Sequence, residues 1–525
     1  MKYFSTLLLS ALFCINSNAT SVTVSGNVSG TWTADTVLVE GNLVIPQGET
    51  LDISPGTFIQ FQSYYRIDVQ GSVKALGLPG DTILFTIRDT SNFMAQTQGR
   101  GGWSGIRFRQ VAGTEDSSVF SYCRFEFSKA TEDSANCYGG AILAHNFDKL
   151  RIYNSLFFNN YSYYSGGAVY LRSSDARIEN CIFKKNYSGN TGTIYGYGGG
   201  ICSMLSAPFI CDNEFYSNIS TGVGGAVSFD NSDPVFNDNS MQYNFSGLGG
   251  ALGVLRSSPS RTMSNNLVIN NGALFFGGGI CCIRSFPVFS NFTVSANEAA
   301  YAGGFYCNDS AAPSMYNSII WGNAGLGVSV YIWDVNSAPN FYYCNIEGDT
   351  AGFEGSGGQQ GYHGQYLNNL NLNPDFIGNG LFPFQLLASS PCIDAGTPDA
   401  TFLNLPGLDL AGAARIVNSR IDMGVYEFNG TTSIHSKSAF TEGLNIFPNP
   451  FVQSFSILVP ISEVVESELN ISDMQGRLVF QQKMLPKNSL IQWNGYDNNG
   501  NSVPRGIYLV RVITADKTFA GKVIK

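Results

Sequence analysis

Two short patterns alternate along the middle of this chain and return in phase. Gly-Gly doublets end at Gly140, Gly167, Gly200, Gly225, Gly250, Gly279 and Gly304, spaced by 27, 33, 25, 25, 29 and 25 residues. Between them lies a second pattern of Asn or Asp, two residues, an apolar residue, two residues, and Asn. It reads Asn154-Phe157-Asn160, Asn180-Phe183-Asn186, Asp212-Phe215-Asn218, Asp238-Met241-Asn244, Asn265-Val268-Asn271, Asn291-Val294-Asn297 and Asn317-Ile320-Asn323. A third register accompanies both, because Pro208, Pro234, Pro287 and Pro313 each stand seven residues before the apolar centre of their repeat. A fixed period of this size marks a chain that stacks one supersecondary unit on the next.

The unit itself is a set of strands. After each doublet the second and fourth residues are mostly apolar: Ile142 and Ala144, Val169 and Leu171, Cys202 and Met204, Val227 and Phe229, Leu252 and Val254, Cys281 and Ile283. Alternation with period two describes a strand with one buried face. One strand follows the Gly-Gly, a second follows the proline register, and a third is centred on the apolar residue of the Asn-flanked motif. Three short strands cannot bury a core alone and must stack on the next unit, which predicts an all-β, right-handed parallel β-helix of coils of about 26 residues, each adding about 4.8 Å. Glycine suits turns too tight for a Cβ. Asparagine tolerates the left-handed region, and its amide can bond to the same residue one coil away. These repeated glycines are not phosphate loops, since none is followed by Lys-Ser or Lys-Thr and none opens a helix.

The ends and the composition narrow the function. Residues 1–19 read as a secretory signal peptide, with Lys2, an apolar run from Tyr3 to Ile15, and a small-x-small cut after Ala19. No later apolar run is long enough to span a bilayer as a helix. With 13% charged residues and net charge -10, the chain has no basic stripe for nucleic acid. The histidines are His145, His363 and His435, and no Cys/His spacing of the zinc type occurs, so neither a metal nor a cofactor is expected. Ten cysteines follow Ala19. Cys282 and Cys307 each lie three residues after their Gly-Gly and are 25 residues apart, which places them on the same outer face of adjacent coils as a candidate disulfide, whereas Cys202 and Cys281 fall in the inward column.

The alternation of Gly-Gly-Ala-Ile/Val with Phe-x-x-Asn, over about residues 137 to 325, resembles the repeats of polymorphic outer membrane proteins, surface β-helices of which several are adhesins. Residues 20–110, with Gly41 to Thr57 and Ile83-Leu84-Phe85, look like an N-terminal cap and the opening coils of secreted β-helices, and residues 111–345 carry the repeats. Residues 346–428 are similar to the choice-of-anchor segment that closes many such solenoids, through Ser390 to Gly396, Asp409 to Gly412, Arg415-Ile416 and Asp422 to Glu427, with Ala414 where that pattern commonly has Pro. There, Asp394, Asp409, Arg415, Asp422 and Glu427 read as buried turns and ion pairs of a cap. Residues 429–443 read as a linker.

Residues 444–525 resemble the C-terminal sorting domain (type A) of type IX secretion cargo, a small β-sandwich, on Pro448, Asn449, Pro450, Gly476, Arg477, Gly506, Tyr508 and the terminal Lys522 to Lys525. That resemblance implies export by the type IX machinery and release or attachment at the outer surface of a Gram-negative bacterium. Asp497 to Asn501 reads as a hairpin turn and not as a calcium loop.

The expected product is a secreted or surface-held monomer that binds glycans or extracellular proteins without catalysis. Tyr161, Tyr163, Tyr164, Tyr195 and Tyr197 are candidate sugar-stacking rings. The alternative is a polysaccharide lyase or glycoside hydrolase of the pectate-lyase-like β-helix type, for which Asp148, Arg151, Asp175, Arg177, Glu179, Lys184 and Lys185 lie on neighbouring coils without forming a catalytic motif. No catalytic residue is assigned.

Overall fold

Each repeat winds into one coil of three strands and a short fourth, as in Ile142–His145, Leu150–Tyr153, Leu156–Phe158 and Tyr161–Ser162. The computed structural model describes residues 20–430 except 96–99, 110, 114, 132–135, 191–195, 259, 326–327, 381 and 419. Of residues 445–525 it describes all but 448–453, 459–466, 474–476, 485–489, 499, 505 and 515–517. The signal peptide and its cut after Ala19 lie outside these residues. Strands pair in parallel with their counterparts one coil away, so Phe157 faces Phe183 and Phe183 faces Phe215. The result is a parallel β-helix. Two of its stacks share one strand, Thr36–Ile45, whose first half pairs with Phe58–Phe61 and whose second half pairs with Ile67–Val69. Because parallel strands sit about 4.8 Å apart, identical inward side chains stack at that spacing. Phe85, Phe125, Phe157, Phe183 and Phe215 form a column of stacked rings with centroids 4.7–4.9 Å apart.

The two asparagines of the repeat do different work. The first, at Asn154, Asn180, Asp212, Asp238, Asn265, Asn291 and Asn317, turns a corner at φ between 48° and 59°, a conformation that asparagine and aspartate accept most readily after glycine. The last is buried. Its amide donates to the carbonyl oxygen of the next coil's asparagine at 2.8–2.9 Å, in an unbroken line Asn160, Asn186, Asn218, Asn244, Asn271, Asn297, Asn323. Each oxygen also accepts the backbone N–H of the preceding asparagine, and each amide's second hydrogen reaches a backbone carbonyl, such as that of Phe183 for Asn218. A second ladder runs through Asn213, Asn239 and Asn266.

Neither glycine of the doublet can carry a Cβ. The first has positive φ, 59° at Gly139 and 71° at Gly224, and a Cβ on the second would overlap the next coil's glycine carbonyl, that of Gly167 for Gly140 and of Gly250 for Gly225. This criterion corrects the register in three repeats. In the triplets Gly198–Gly200 and Gly277–Gly279 the first two glycines are the doublet, and the third replaces the alanine found at Ala168 and Ala226. Likewise Gly304 follows the doublet position instead of ending it. Counting from the last glycine put these strands one residue out of phase, and a one-residue slip exchanges faces. The inward residues are therefore Ile201, Ile280, Cys282, Phe305 and Cys307. Cys202 and Cys281 face outward, beneath a second apolar layer formed with Tyr170 and Tyr306.

The N-terminal end opens with Ser21–Asn27 and Gly30–Trp32, which pair in parallel with the strands above them and form no hairpin; Trp32, Val24 and Val28 close the core there. At the other end Phe353, Tyr362 and Tyr366 pack over Phe341. The chain then folds back along the flank as a strap. Leu372 bonds at Asn345, Thr397 at Asn317, Asp422 and Gly424 at Asn291, and Leu408 and Arg415 at Asn265. It therefore follows the corner column back over earlier coils.

The expected ion-pair cluster locks this strap. Arg415 donates to Glu427 at 2.7 Å with both side chains nearly inaccessible. Asp409 accepts from the N–H groups of Ala411, Ala413 and Glu427, and Asp422 from those of Asp394 and Phe428. Burial pushes Asp422 up to about 6 and Glu427 up to about 7, against the pull of Arg415.

The second compact unit, Ile434–Lys525, is antiparallel. Asn445–Phe447, Phe455–Leu458 and Leu490–Trp493 form one sheet, and Leu478–Met484, Ser467–Asp473, Ile507–Thr514 and Thr518–Ile524 another. Phe455, Leu469, Trp493, Val510 and Phe519 lie in their common core.

Two outcomes are expected. Asn244→Ala strands the Asn218 amide and the Phe215 carbonyl in the core, at a cost of about 1–3 kcal/mol, read as a lower denaturation midpoint and faster hydrogen exchange confined to neighbouring coils. For the strap, both raised carboxyls hold protons at pH values where unfolded carboxyls have lost theirs. Its contribution to stability is thus greatest below about pH 4 and falls as pH rises through 6 and 7. Arg415→Ala leaves Glu427 without its cation and should cost about 3–5 kcal/mol at about pH 8 and less at about pH 5, measured by guanidinium unfolding at both.

Candidate functional site: an aromatic ridge

The sequence-chosen tyrosines are mostly covered. Tyr161 is 2% exposed, its hydroxyl donates to the Gly189 carbonyl at 3.1 Å, and its ring stacks on Tyr187. Tyr163, Tyr164 and Tyr197 are half-buried, and Tyr195 lies outside the described residues. Tyr164 packs on Tyr138, which packs on Tyr170, so these rings roof the outward face of the Gly-Gly strands. Their clustering in sequence reflects a second apolar layer, which the repeat pattern did not reveal.

The charged candidates are held separately. Arg177 pairs with Glu179 on its own strand and lies 3.9 Å over the Phe209 ring. Asp148 accepts from the Asp175 N–H and Asp175 from the Ala207 N–H, each bridging two coils at a corner. Arg151 donates to the Asp148 carbonyl, Lys184 sits over the Tyr216 ring, and Lys185 turns a corner at φ 57°. Among the described residues no three His, Cys, Asp or Glu side chains gather as a metal would require.

One line of exposed apolar surface follows the short fourth strands. Their inward positions, Ser162, Ser188, Ser220, Ser246, Ala273 and Ala299, are small because the corner is narrow, and alternation turns their neighbours outward. Ile219 and Phe245 are in-register partners, 39% and 45% exposed, and on the following coil Leu274 and Phe275 are 56% and 44% exposed. Beside them Tyr216 meets Tyr243 with centroids 5.2 Å apart.

The ridge ends in a cluster of rings. Phe276 stacks on Tyr301 at 4.6 Å and on Tyr306 at 4.7 Å, and it meets Tyr331 at 5.1 Å and the edge of Trp333 at 5.3 Å. Tyr301 and Trp333 are 40% and 48% exposed. The signal in the sequence was the unbroken apolar run Ala273 to Phe276 just before a turn, and Tyr331-Ile332-Trp333 at period two. Rings with one covered and one wet face, on a protein with few charges, suit partners that offer apolar patches among hydroxyls.

Residues 104–287 match the family model described as right handed beta helix region, and residues 445–525 match that of the secretion system C-terminal sorting domain. The chain is a right-handed β-helix with a C-terminal secretion sorting domain. Its sorting domain makes it a secreted or cell-surface-attached protein handled by the type IX machinery. Among curated proteins it is similar to metabotropic glutamate receptor-like protein R of Dictyostelium discoideum, 29% identical over 119 residues, which is 23% of this chain and 7% of that protein. Among solved structures it is similar to PorZ, an essential bacterial surface component of the type IX secretion system of Porphyromonas gingivalis. That similarity is 21% identity over 17% of this chain and 12% of the other, with a TM-score of 0.14.

Within the sorting domain, Arg477 is pinned by Asp473, which accepts its Nε at 2.8 Å and its backbone N–H at 3.0 Å. The Tyr508 hydroxyl donates to the Pro504 carbonyl at 2.6 Å beneath Trp493. Gly506 and Lys525 exchange backbone hydrogen bonds, and the Lys525 amine reaches the Val503 carbonyl and the Ser502 hydroxyl. Lys522 lies on the last strand, opposite Leu509. Pro448, Asn449, Pro450 and Gly476 lie outside the described residues. Asp497 caps its own turn, accepting the Asn501 N–H at 2.7 Å, with Gly500 at φ 81°.

Proposed function

We propose that this protein is a non-catalytic binding module which, once exported, holds an extended, neutral or weakly charged polysaccharide along its aromatic ridge. The observation that carries this reading is the run of exposed apolar side chains on successive coils, Ile219, Phe245, Leu274, Phe275, Tyr301 and Trp333. Coil spacing of about 4.8 Å repeats the contact along one line, which matches a linear polymer better than a compact ligand. A net charge of -10 disfavours a polyanion. Delivery to the cell surface brings the ridge to extracellular glycans. Candidate charged residues already committed to corners and neighbouring rings support a binding role over the alternative of a lyase or hydrolase.

The test is a glycan array with the secreted protein, with product analysis on every polysaccharide bound. Saturable binding without new reducing or unsaturated ends is expected. Tyr301→Ala and Trp333→Ala should each raise Kd about tenfold, near 1.4 kcal/mol, with unchanged thermal unfolding. Binding that ignores both substitutions, capture of protein ligands alone, or product formation lost on substituting charges between Asp148 and Lys185 would overturn the proposal.

A further inference from the structure

All ten cysteines after residue 19 are buried. Two of them stand apart. Cys282 lies on Ile280–Ile283 and Cys307 on Ala302–Asn308, and the register of these parallel strands sets Ile280 opposite Phe305, Cys281 opposite Tyr306, and Cys282 opposite Cys307. Both Cys282 and Cys307 point into the solenoid core and are 0% exposed. The expected pairing thus keeps its partners but moves from the outer face to the inner one. In-register residues of parallel strands are about 4.8 Å apart, inside the 4.4–6.8 Å range of Cα separations in disulfides, and the Cβ atoms need approach only to about 3.8 Å.

We propose that Cys282 and Cys307 are joined by a disulfide that staples two successive coils, formed while the exported chain is still folding. The chemistry is a two-electron oxidation. Both S–H bonds break and one S–S bond forms. The two electrons and two protons pass to a disulfide-carrying oxidoreductase of the oxidising compartment the chain crosses, which leaves as a dithiol. Timing follows from position. The attacking species is a thiolate, and burial pushes the Cys307 thiol well above its usual range. No oxidoreductase reaches a side chain inside the finished core. The bond must therefore form before the coil carrying Cys307 closes on the one carrying Cys282. The same two strands bear Cys281 and Tyr306 on their outer face, under Phe276 and Tyr331, so the staple holds the base of the ring cluster.

The experiment uses the full chain. Protein exported through the oxidising compartment is denatured with excess iodoacetamide and no reductant, then weighed intact and mapped. The expected result is eight alkylated cysteines of the ten, with one unreduced peptide pair joining Cys282 to Cys307. The same protein made in a reducing cytosol without residues 1–19 should carry ten alkylated cysteines. When that folded, reduced protein is offered a disulfide oxidant it should gain no link, and it should gain the Cys282–Cys307 link when refolded with the oxidant present. Ten alkylated cysteines in the exported protein, or a link between other cysteines, overturns the proposal. Rapid linkage in the folded, reduced protein overturns its timing.

Discussion

A buried primary amide can give and receive along one direction, and the solenoid is threaded by a line of them. From Asn160 to Asn323 each asparagine donates to the next and accepts from the one before, so a polar column runs through an apolar core without an orphaned group along its length. Such a column is strict about alignment. Sliding a coil by one residue would take each amide away from its partner and would turn every inward side chain outward. Hydrophobic burial drives the stack, but the phenylalanine column by itself would accept many offsets. The amide line makes one register the only satisfied one, and the corner turns, the Gly-Gly approach and the strap are all built on that register.

Much of this was legible because a solenoid writes its geometry into the chain once per coil. The Phe-x-x-Asn pattern names the ring column and the amide line together, and the Gly-Gly names a place where two backbones touch. Where the pattern varied, reading faltered. An extra glycine at Gly200 and Gly279 displaced the inferred strand by a residue, because glycine as a replacement for alanine looks the same as glycine required by a turn. The tyrosines between Tyr161 and Tyr197 looked like surface rings because nothing local reports that a loop folds over the sheet. The strap was least visible, since its partners Asn265, Asn291 and Asn317 lie far back in the chain and already had a sufficient local reason to be asparagine.

The sorting domain presents the opposite case. Its alternating strands and its glycines specify a fold and an address but say nothing of the cargo's task, so that task must be argued from the solenoid's surface. There, side chains busy with corners, caps and neighbouring rings separate from side chains that have a solvent face and no evident structural need for it. Phe275 and Trp333 are of the second kind. Their exposure gives up burial that the core would have rewarded, an arrangement better understood through a partner than through folding.

The strap also decides where this protein can change length. Among the described residues its hydrogen bonds to the corner column run from Asn265 to Asn317, so a coil gained or lost within that stretch would leave its contacts out of step. The repeats from Asn160 to Asn244 bond to their neighbouring coils and could be duplicated or deleted whole, since each new coil brings its own amide, ring and glycine pair. Variation in size is thereby confined to the N-terminal side of the solenoid, while the portion joined to the exported address stays a fixed fitting.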